Sequence, residues 1–91
     1  MRVKSDYILR EVAGEYLLIP VGEAALKTNG LISLSESGYL LYEQLKQGCE
    51  KKDLVQRLLQ EYEVTDEQAS ADVEAFLEQM RSIDMLEVDA Q

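Results

Sequence analysis

The sequence predicts an α+β domain in which a three-stranded antiparallel sheet is followed by three helices. Short runs of aliphatic and aromatic residues with glycine-containing turns fill the first third of the chain, and helical apolar spacing fills the rest. Strands and helices that occupy separate parts of a chain are typical of this class. A length of 91 residues predicts a single domain, which we expect to span residues 1–91.

The first two predicted strands form a hairpin. They comprise residues 7–12 and 16–21, and Gly14 between them can adopt the positive φ of a tight turn. Pro20 cannot donate a hydrogen bond to a sheet, so it suits an outer position or the end of a strand. An irregular stretch, residues 22–29, and a turn at Asn29-Gly30 follow.

The third predicted strand, residues 31–34, is short and carries the main functional indication of the sequence. A sheet of three strands exposes an edge of unpaired N–H and C=O groups unless another segment covers it. Such an edge can bind an extended peptide as a further strand. The alternative is an ordinary core strand that the domain's own loops cover.

The first predicted helix is delimited by capping residues, and the second by its apolar spacing. Ser35 is the N-cap of a helix that continues to about Gln47, and Gly48 ends it. The second helix spans residues 51–62, with apolar side chains at 3.6-residue spacing.

The third predicted helix begins at a capping box, residues 65–68, in which we expect the Gln68 side chain to reach back to the cap. It ends near Ile83, and we expect Val73, Leu77 and Met80 to face the core. Residues 85–88 form a short extension that packs on the body, and residues 89–91 fray.

The charge is concentrated in the last third of the chain. The net charge is −9, and residues 61–91 contain ten acidic residues and one basic residue, Arg81. Such a surface repels phosphate backbones and anionic membranes, and it attracts a basic partner. We therefore expect no binding of nucleic acid or of membranes.

The composition also argues against catalysis. Histidine is absent, and Cys49 is the only cysteine, so the usual general base and thiolate or imidazole metal sites are missing. We expect no enzymatic activity, no metal and no cofactor. A single cysteine and the lack of a signal peptide favour a cytoplasmic location.

One local string resembles a known family. Residues 34–42, L-S-E-S-G-Y-L-L-Y, are similar to the L-N-E-T-G-x-x-[IL]-W stretch that opens the first helix of PqqD-like proteins. Ser35 replaces the frequent Asn and Tyr42 the frequent Trp. The similarity continues along the chain at 44–48, 54–55, 61–62, 72–73 and 76–77.

PqqD-like proteins are the peptide chaperones of pyrroloquinoline quinone biosynthesis, and they typify the RiPP recognition element. The resemblance implies a winged helix-turn-helix-like fold and a groove between the third strand and the third helix. There a precursor's leader segment is bound as an added antiparallel strand and presented to a maturation enzyme, often a radical S-adenosylmethionine protein. The residues that the resemblance places in this groove are Leu31, Ile32, Ser33, Leu34, Asp72, Phe76, Gln79 and Ile83.

Several alternatives stay open at this point. For Phe76 and Ile83 the alternative is packing in the core, and for Asp72 and Gln79 it is simple solvation.

A winged-helix DNA-binding regulator shares the topology, although it requires a basic helix. An acidic carrier protein fits the charge but lacks an Asp-Ser-Leu attachment site. A homodimer could form by exchange of the hairpin.

Overall fold

The computed structural model describes residues 1–4, 7–27 and 30–87. Within these residues strands and helices follow one another in an order that confirms the α+β prediction. The elements are β1 (Arg2–Val3), β2 (Tyr7–Val12), β3 (Glu15–Pro20), α1 (Glu23–Lys27), β4 (Ile32–Leu34), α2 (Glu36–Lys46), α3 (Lys51–Glu61), α4 (Asp66–Ser82) and β5 (Leu86–Glu87).

The central sheet has three antiparallel strands in the order β2-β3-β4, as predicted. The β2–β3 hairpin closes through two residues, Ala13 and Gly14, whose φ angles are 52° and 83°. Positive φ at both positions matches the right-handed twist of the flanking strands, and Gly14 adopts it without steric cost. The pairing runs from Tyr7↔Pro20 to Val12↔Glu15, so Pro20 does lie at the end of its strand.

The pairing register divides the sheet into an inner and an outer face. Residues directly opposite one another point to the same side. Leu9, Leu18 and Ile32 form one such row on the inner face, and Leu18 is completely buried. The neighbouring row, on the outer face, contains Leu17 and Ser33.

Two of the three long helices, α2 and α4, begin where capping residues were predicted. Ser35 Oγ accepts a hydrogen bond from Gly38 N at 3.1 Å, and Thr65 Oγ1 accepts one from Gln68 N at 3.1 Å. The predicted role of the Gln68 side chain was wrong. Gln68 Nε2 donates to Asp72 Oδ1 at 3.0 Å, because a side chain one turn ahead on the same helix face is within easier reach than the cap.

The stretch predicted as irregular, residues 22–29, contains α1, and this part of the prediction was wrong. Glu23 lies in its first turn, where a negative charge interacts favourably with the helix dipole, and two alanines follow. Ala24 is buried while Leu26 is 88% exposed. Of the predicted second turn, Gly30 has a φ of 88°, and Asn29 lies outside the described residues.

The two ends of the described chain pair with each other, which the predicted order of three strands and three helices did not include. β1 and β5 form a separate antiparallel sheet of two strands, and Lys4 N donates to Met85 O at 2.8 Å. Residues 85–88 were predicted as an extension that packs on the body. Met85 is buried and Leu86 packs against the core, as predicted, and Leu86–Glu87 is also a strand; 88–91 lie outside the described residues. Neither described end covers β4.

The core lies between the inner face of the sheet and the three long helices. The side chains predicted on the core face of the last helix, Val73, Leu77 and Met80, are at most 1% exposed. No described polar or charged residue is buried. The other buried members are Val3, Tyr7, Leu18, Ala24, Leu34, Leu41, Tyr42, Leu45, Leu54, Leu58, Ala69, Phe76 and Met85.

Truncation of adjacent leucines in β3 tests the two faces of the sheet. We expect Leu18→Ala to lower the free energy of unfolding by about 2–5 kcal/mol, because it leaves a cavity in the core. Leu17→Ala, on the outer face, should cost less than about 1 kcal/mol. Urea denaturation followed by circular dichroism measures both. Equal losses would contradict the assignment of the faces.

Candidate functional site

The sheet has two outer strands, β2 and β4, and among the described residues the outer edge of β4 has no strand partner. β4 is only three residues long, with Leu34 buried, Ile32 half-buried and Ser33 exposed. Leu31, directly before it, is 57% exposed. Backbone N–H and C=O groups on this edge are therefore available to a further strand.

Gly38 brings the end of β4 and helix α4 close together. A methyl group placed on Gly38 would lie 3.7 Å from Leu34 Cβ and 3.7 Å from Phe76 Cδ1. It would also lie 3.2 Å from Ser35 Oγ, the cap of α2. The distances to Leu34 and Phe76 are ordinary van der Waals contacts, whereas the distance to the cap hydroxyl is tight. The room that the Ser35 cap needs gives a structural reason for a glycine early in this helix.

Two clefts open at this junction and share three of their lining residues, Ser35, Ser37 and Asp72. The smaller, between α2 and α4, has a volume of about 220 Å³ and is also lined by Gly38, Phe76 and Gln79. The larger is named the Tyr62 cleft. Its volume is about 400 Å³, and its further lining residues are Glu36, Leu58, Tyr62 and Val64. Together they form one groove that begins at the end of β4.

The groove is negatively charged. Glu36 and Asp72 are its acidic lining residues, and the described lining residues of the two clefts include no lysine or arginine. Tyr62 Oη donates a hydrogen bond to Glu36 Oε1 at 3.0 Å, which joins the end of α3 to the start of α2. The groove can therefore bind apolar side chains on Phe76, Leu58 and Val64, with a cation near the carboxylates.

The pKa of Tyr62 is raised by this surrounding. Removal of water from the phenol is the largest cause, and the hydrogen bond to Glu36 and the negative charge of that carboxylate raise the pKa further. The phenol therefore stays protonated, as a hydrogen-bond donor, across the physiological pH range.

An aromatic pair fixes the start of α2 on the sheet. The rings of Tyr16 and Tyr39 are stacked with centroids 4.2 Å apart and an interplanar angle of 13°. Tyr16 lies opposite Leu34 in the sheet, so the stack holds α2 next to β4. Desolvation, followed by the charge of Glu11, raises the pKa of Tyr16. The position of the groove relative to the β4 edge depends on this contact.

Three of the eight residues predicted for the groove line the smaller cleft, and none of residues 31–34 is among the described lining residues of either cleft. Asp72, Phe76 and Gln79 line the smaller cleft, and Phe76 is also 5% exposed, so its core and groove roles coincide. Ile83 is half-buried against the core and is not among the described lining residues of either cleft. Its assignment to the groove stays a prediction.

Sequence reasoning missed the other side of the groove. Ser35 was expected only as a cap and Tyr62 only as a helical residue, yet both line it. The L-S-E-S-G string contains the signal for Ser35, because a cap hydroxyl next to a strand end necessarily faces the junction. The pairing of Tyr62 with Glu36 joins residues 26 positions apart, and no local pattern indicates it.

The described part of the chain contains no group of three or more histidine, cysteine or carboxylate side chains that could hold a metal ion. Burial, and then the charge of Asp53, raise the pKa of the Cys49 thiol, which keeps it protonated and weakly nucleophilic. None of the helices in the described part of the chain is long and apolar enough to cross a membrane.

Comparison with known proteins places this geometry in context. The family described as coenzyme PQQ synthesis protein D has a model that matches residues 24–86, more than two thirds of the chain. No curated protein matches the chain.

Two solved structures are similar in fold. The first is TbiB1 in complex with the TbiA(beta) leader peptide, with 21% identity, a TM-score of 0.77 and 100% of both chains covered. The second is lasso peptide synthetase B1 complexed with the leader peptide, with 20% identity and a TM-score of 0.73. That match covers 92% of this chain and 93% of the other. At these identities the likeness shows a common fold.

The contact between Tyr62 and Glu36 can be tested by titration. We expect Glu36→Gln to lower the pKa of Tyr62, because the neutral amide no longer disfavours the phenolate. The pKa should stay above its ordinary value, since desolvation persists. NMR of chains with ¹³C-labelled tyrosine follows each phenol separately. Glu43→Gln, the control, should move Tyr42, whose pKa that carboxylate raises after desolvation, and leave Tyr62 unchanged.

Proposed function

Because this chain belongs to the family of coenzyme PQQ synthesis protein D, we propose that it binds the leader segment of a ribosomally made precursor peptide. It acts as a non-catalytic chaperone that presents the peptide to a maturation enzyme. The observation that carries this proposal is the open edge of β4 beside a groove that begins where the strand ends. Both solved structures of similar fold contain a leader peptide, which supports the same use here.

The leader forms a fourth strand on β4 in this proposal. Main-chain hydrogen bonds to Leu31, Ile32, Ser33 and Leu34 supply affinity that does not depend on sequence, and side-chain pockets supply selectivity. Antiparallel addition fixes the direction of the peptide. Its N-terminal part lies at the Ser35 end of β4, over the groove, and its C-terminal part leaves past Leu31.

The groove selects the residues that precede the added strand. The Phe76 ring and the space above Gly38 receive an apolar side chain, and Asp72 and Gln79 bind polar groups of the leader from the exposed rim of α4. The charge of Asp72 and Glu36 favours a leader with a basic residue at this point. The Tyr62 cleft is large enough for one further side chain.

The enzyme that receives the peptide belongs to the same proposal. The link of the family to pyrroloquinoline quinone synthesis makes a radical S-adenosylmethionine protein the first class to test. A homodimer that exchanges the β2–β3 hairpin is the alternative assembly, and sedimentation of the purified chain distinguishes it from a monomer.

The DNA-binding alternative conflicts with the charge of α4. Its exposed side chains include Asp66, Glu67 and Asp72, and its one basic residue, Arg81, is paired with Glu78 at 3.0 Å. A recognition helix needs cations that neutralise phosphates, and this helix presents the opposite sign. Among the functions considered, peptide binding fits the surface best.

Backbone pairing can be tested on the peptide itself. We expect N-methylation of the leader at successive positions of the added strand to abolish binding at every second position. The reason is that alternate amides of an edge strand face β4 and the rest face solvent. Fluorescence anisotropy of a labelled leader measures the affinity. Uniform tolerance of methylation would contradict strand addition.

Charge reversal in the groove tests the side-chain part of the site. We expect Asp72→Lys to weaken leader binding by about tenfold or more, about 1.4 kcal/mol, because a long cation then fills the point where both clefts meet. Glu67→Lys is the matched control, since it makes the same change on the same helix outside the groove lining and should retain the affinity. Equal affinities of the two variants would place the leader elsewhere.

A further inference from the structure

The outer face of the sheet has an apolar surface that the core does not use. Ile8 lies directly opposite Ile19, and Leu17 occupies the next row. Leu17 and Ile19 are half-buried, yet neither packs against the core cluster. Ile8 is 42% and Val12 52% exposed. Four aliphatic side chains on two adjacent strands thus form one patch, which we call the outer-face patch.

Leu31 extends this patch to the edge where the peptide is proposed to bind. Successive side chains along β4 point to opposite faces of the sheet. If this alternation is continued back by one residue, Leu31 lies on the outer face, together with Ser33. Leu31 therefore lies beside Ile19 and extends the cross-strand row that Ile8 and Ile19 form. The most exposed of the large apolar side chains, Leu26, belongs to the connection between β3 and β4 at this same end.

The outer-face patch is close to electrically neutral. Arg10 and Glu15 are its charged residues, and their charges cancel. The acidic excess of the chain lies instead in residues 61–91, whose described part, residues 61–87, contains α4 and β5 and belongs to the helical side. A basic partner would bind the helical side, whereas the sheet side fits an apolar protein surface.

From this arrangement we propose that the outer-face patch is the docking surface for the enzyme that modifies the bound peptide. The inference rests on the proposed function, because the direction of the leader decides where the segment to be modified leaves. A leader antiparallel to β4 leaves past Leu31. Its downstream segment emerges beside the row of Ile8, Ile19 and Leu31, where an enzyme on this face would receive it.

The size of the patch favours this occupant over a second copy of the chain. Two strands of about 20 Å and one of about 10 Å that lie about 4.8 Å apart give a three-stranded face roughly 240 Å² in area. A stable dimer needs about 800 Å² from each partner. The patch is too small to hold two copies together on its own. It suffices for an enzyme that also holds the peptide, because the shared peptide raises the effective concentration to about the millimolar range.

The test uses the full chain, its precursor peptide and the purified modifying enzyme encoded in the same gene cluster. Ile8→Glu and Val12→Glu each place a charge on the patch at a position that is already exposed. We expect both variants to bind the leader with a Kd within about twofold of the wild type, and the rate of peptide modification to fall at least tenfold. Mass spectrometry measures the rate and fluorescence anisotropy the Kd.

Gln60→Glu, on the exposed side of α3, adds the same charge away from the sheet and should change neither quantity. Thermal denaturation shows whether the variants are folded; if one is not, the other provides the test. Modification at the wild-type rate by a folded variant overturns the proposal. The proposal is also overturned, in favour of a self-interface, if the wild-type chain sediments as a dimer and Ile8→Glu dissociates that dimer. Failure of the wild-type chain to bind the leader rejects the proposed function instead.

Discussion

Every backbone amide and carbonyl in a sheet needs a hydrogen-bond partner, and the edge of β4 leaves some of these groups to be satisfied by water or by another chain. The rest of the fold is arranged around that edge. The β2–β3 hairpin holds β4 from one side, and the stacked rings of Tyr16 and Tyr39 hold α2 against its end. Gly38 leaves room for the Ser35 cap at the start of α2 and lies next to Phe76. The open edge and the groove are therefore two parts of one packing arrangement.

The two sides of the molecule differ in their chemistry. The helical side is acidic and contains the groove, whereas the outer face of the sheet is aliphatic and nearly neutral. A charged surface speeds the encounter with an oppositely charged segment, and an apolar surface stabilises a close contact once water is displaced. Both properties suit a protein that binds a peptide and also contacts an enzyme, as proposed above. The separation also prevents the acidic residues from opposing a contact on the sheet.

The parts of the fold that the sequence predicted are those with a local physical cause. The caps at Ser35 and Thr65, the stop at Gly48 and the hairpin turn each depend on residues within a few positions. The five-residue helix α1 was missed because it is shorter than two turns, too short for periodicity to show. The pairing of β1 with β5 joins strands of two residues at opposite ends of the chain, so only the folded structure shows it.

The candidate site also has one part that the sequence predicts and one part that only the folded structure shows. Asp72, Phe76 and Gln79 occur at helical spacing on one side of α4, so a family resemblance and a helical wheel suffice to group them. The opposite wall, with Tyr62 and Val64, comes from the end of α3 and the loop after it, whose position depends on how α3 packs on α4. The ion pair between Lys51 and Glu74 is part of that packing, and it lowers the pKa of Glu74. No pattern within one element predicts it.

The short length of β4 affects how the chain distinguishes one peptide from another. Three residues offer only a handful of main-chain hydrogen bonds, and each contributes about 1 kcal/mol net, so the backbone alone holds any extended peptide only weakly. Recognition of one peptide among many then has to come from the few side chains around Gly38 and Asp72. Of these, Asp72 and Gln79 are exposed on α4 and do not belong to the core. The chain could therefore be retargeted by exchanging a small set of rim residues while its scaffold stays unchanged.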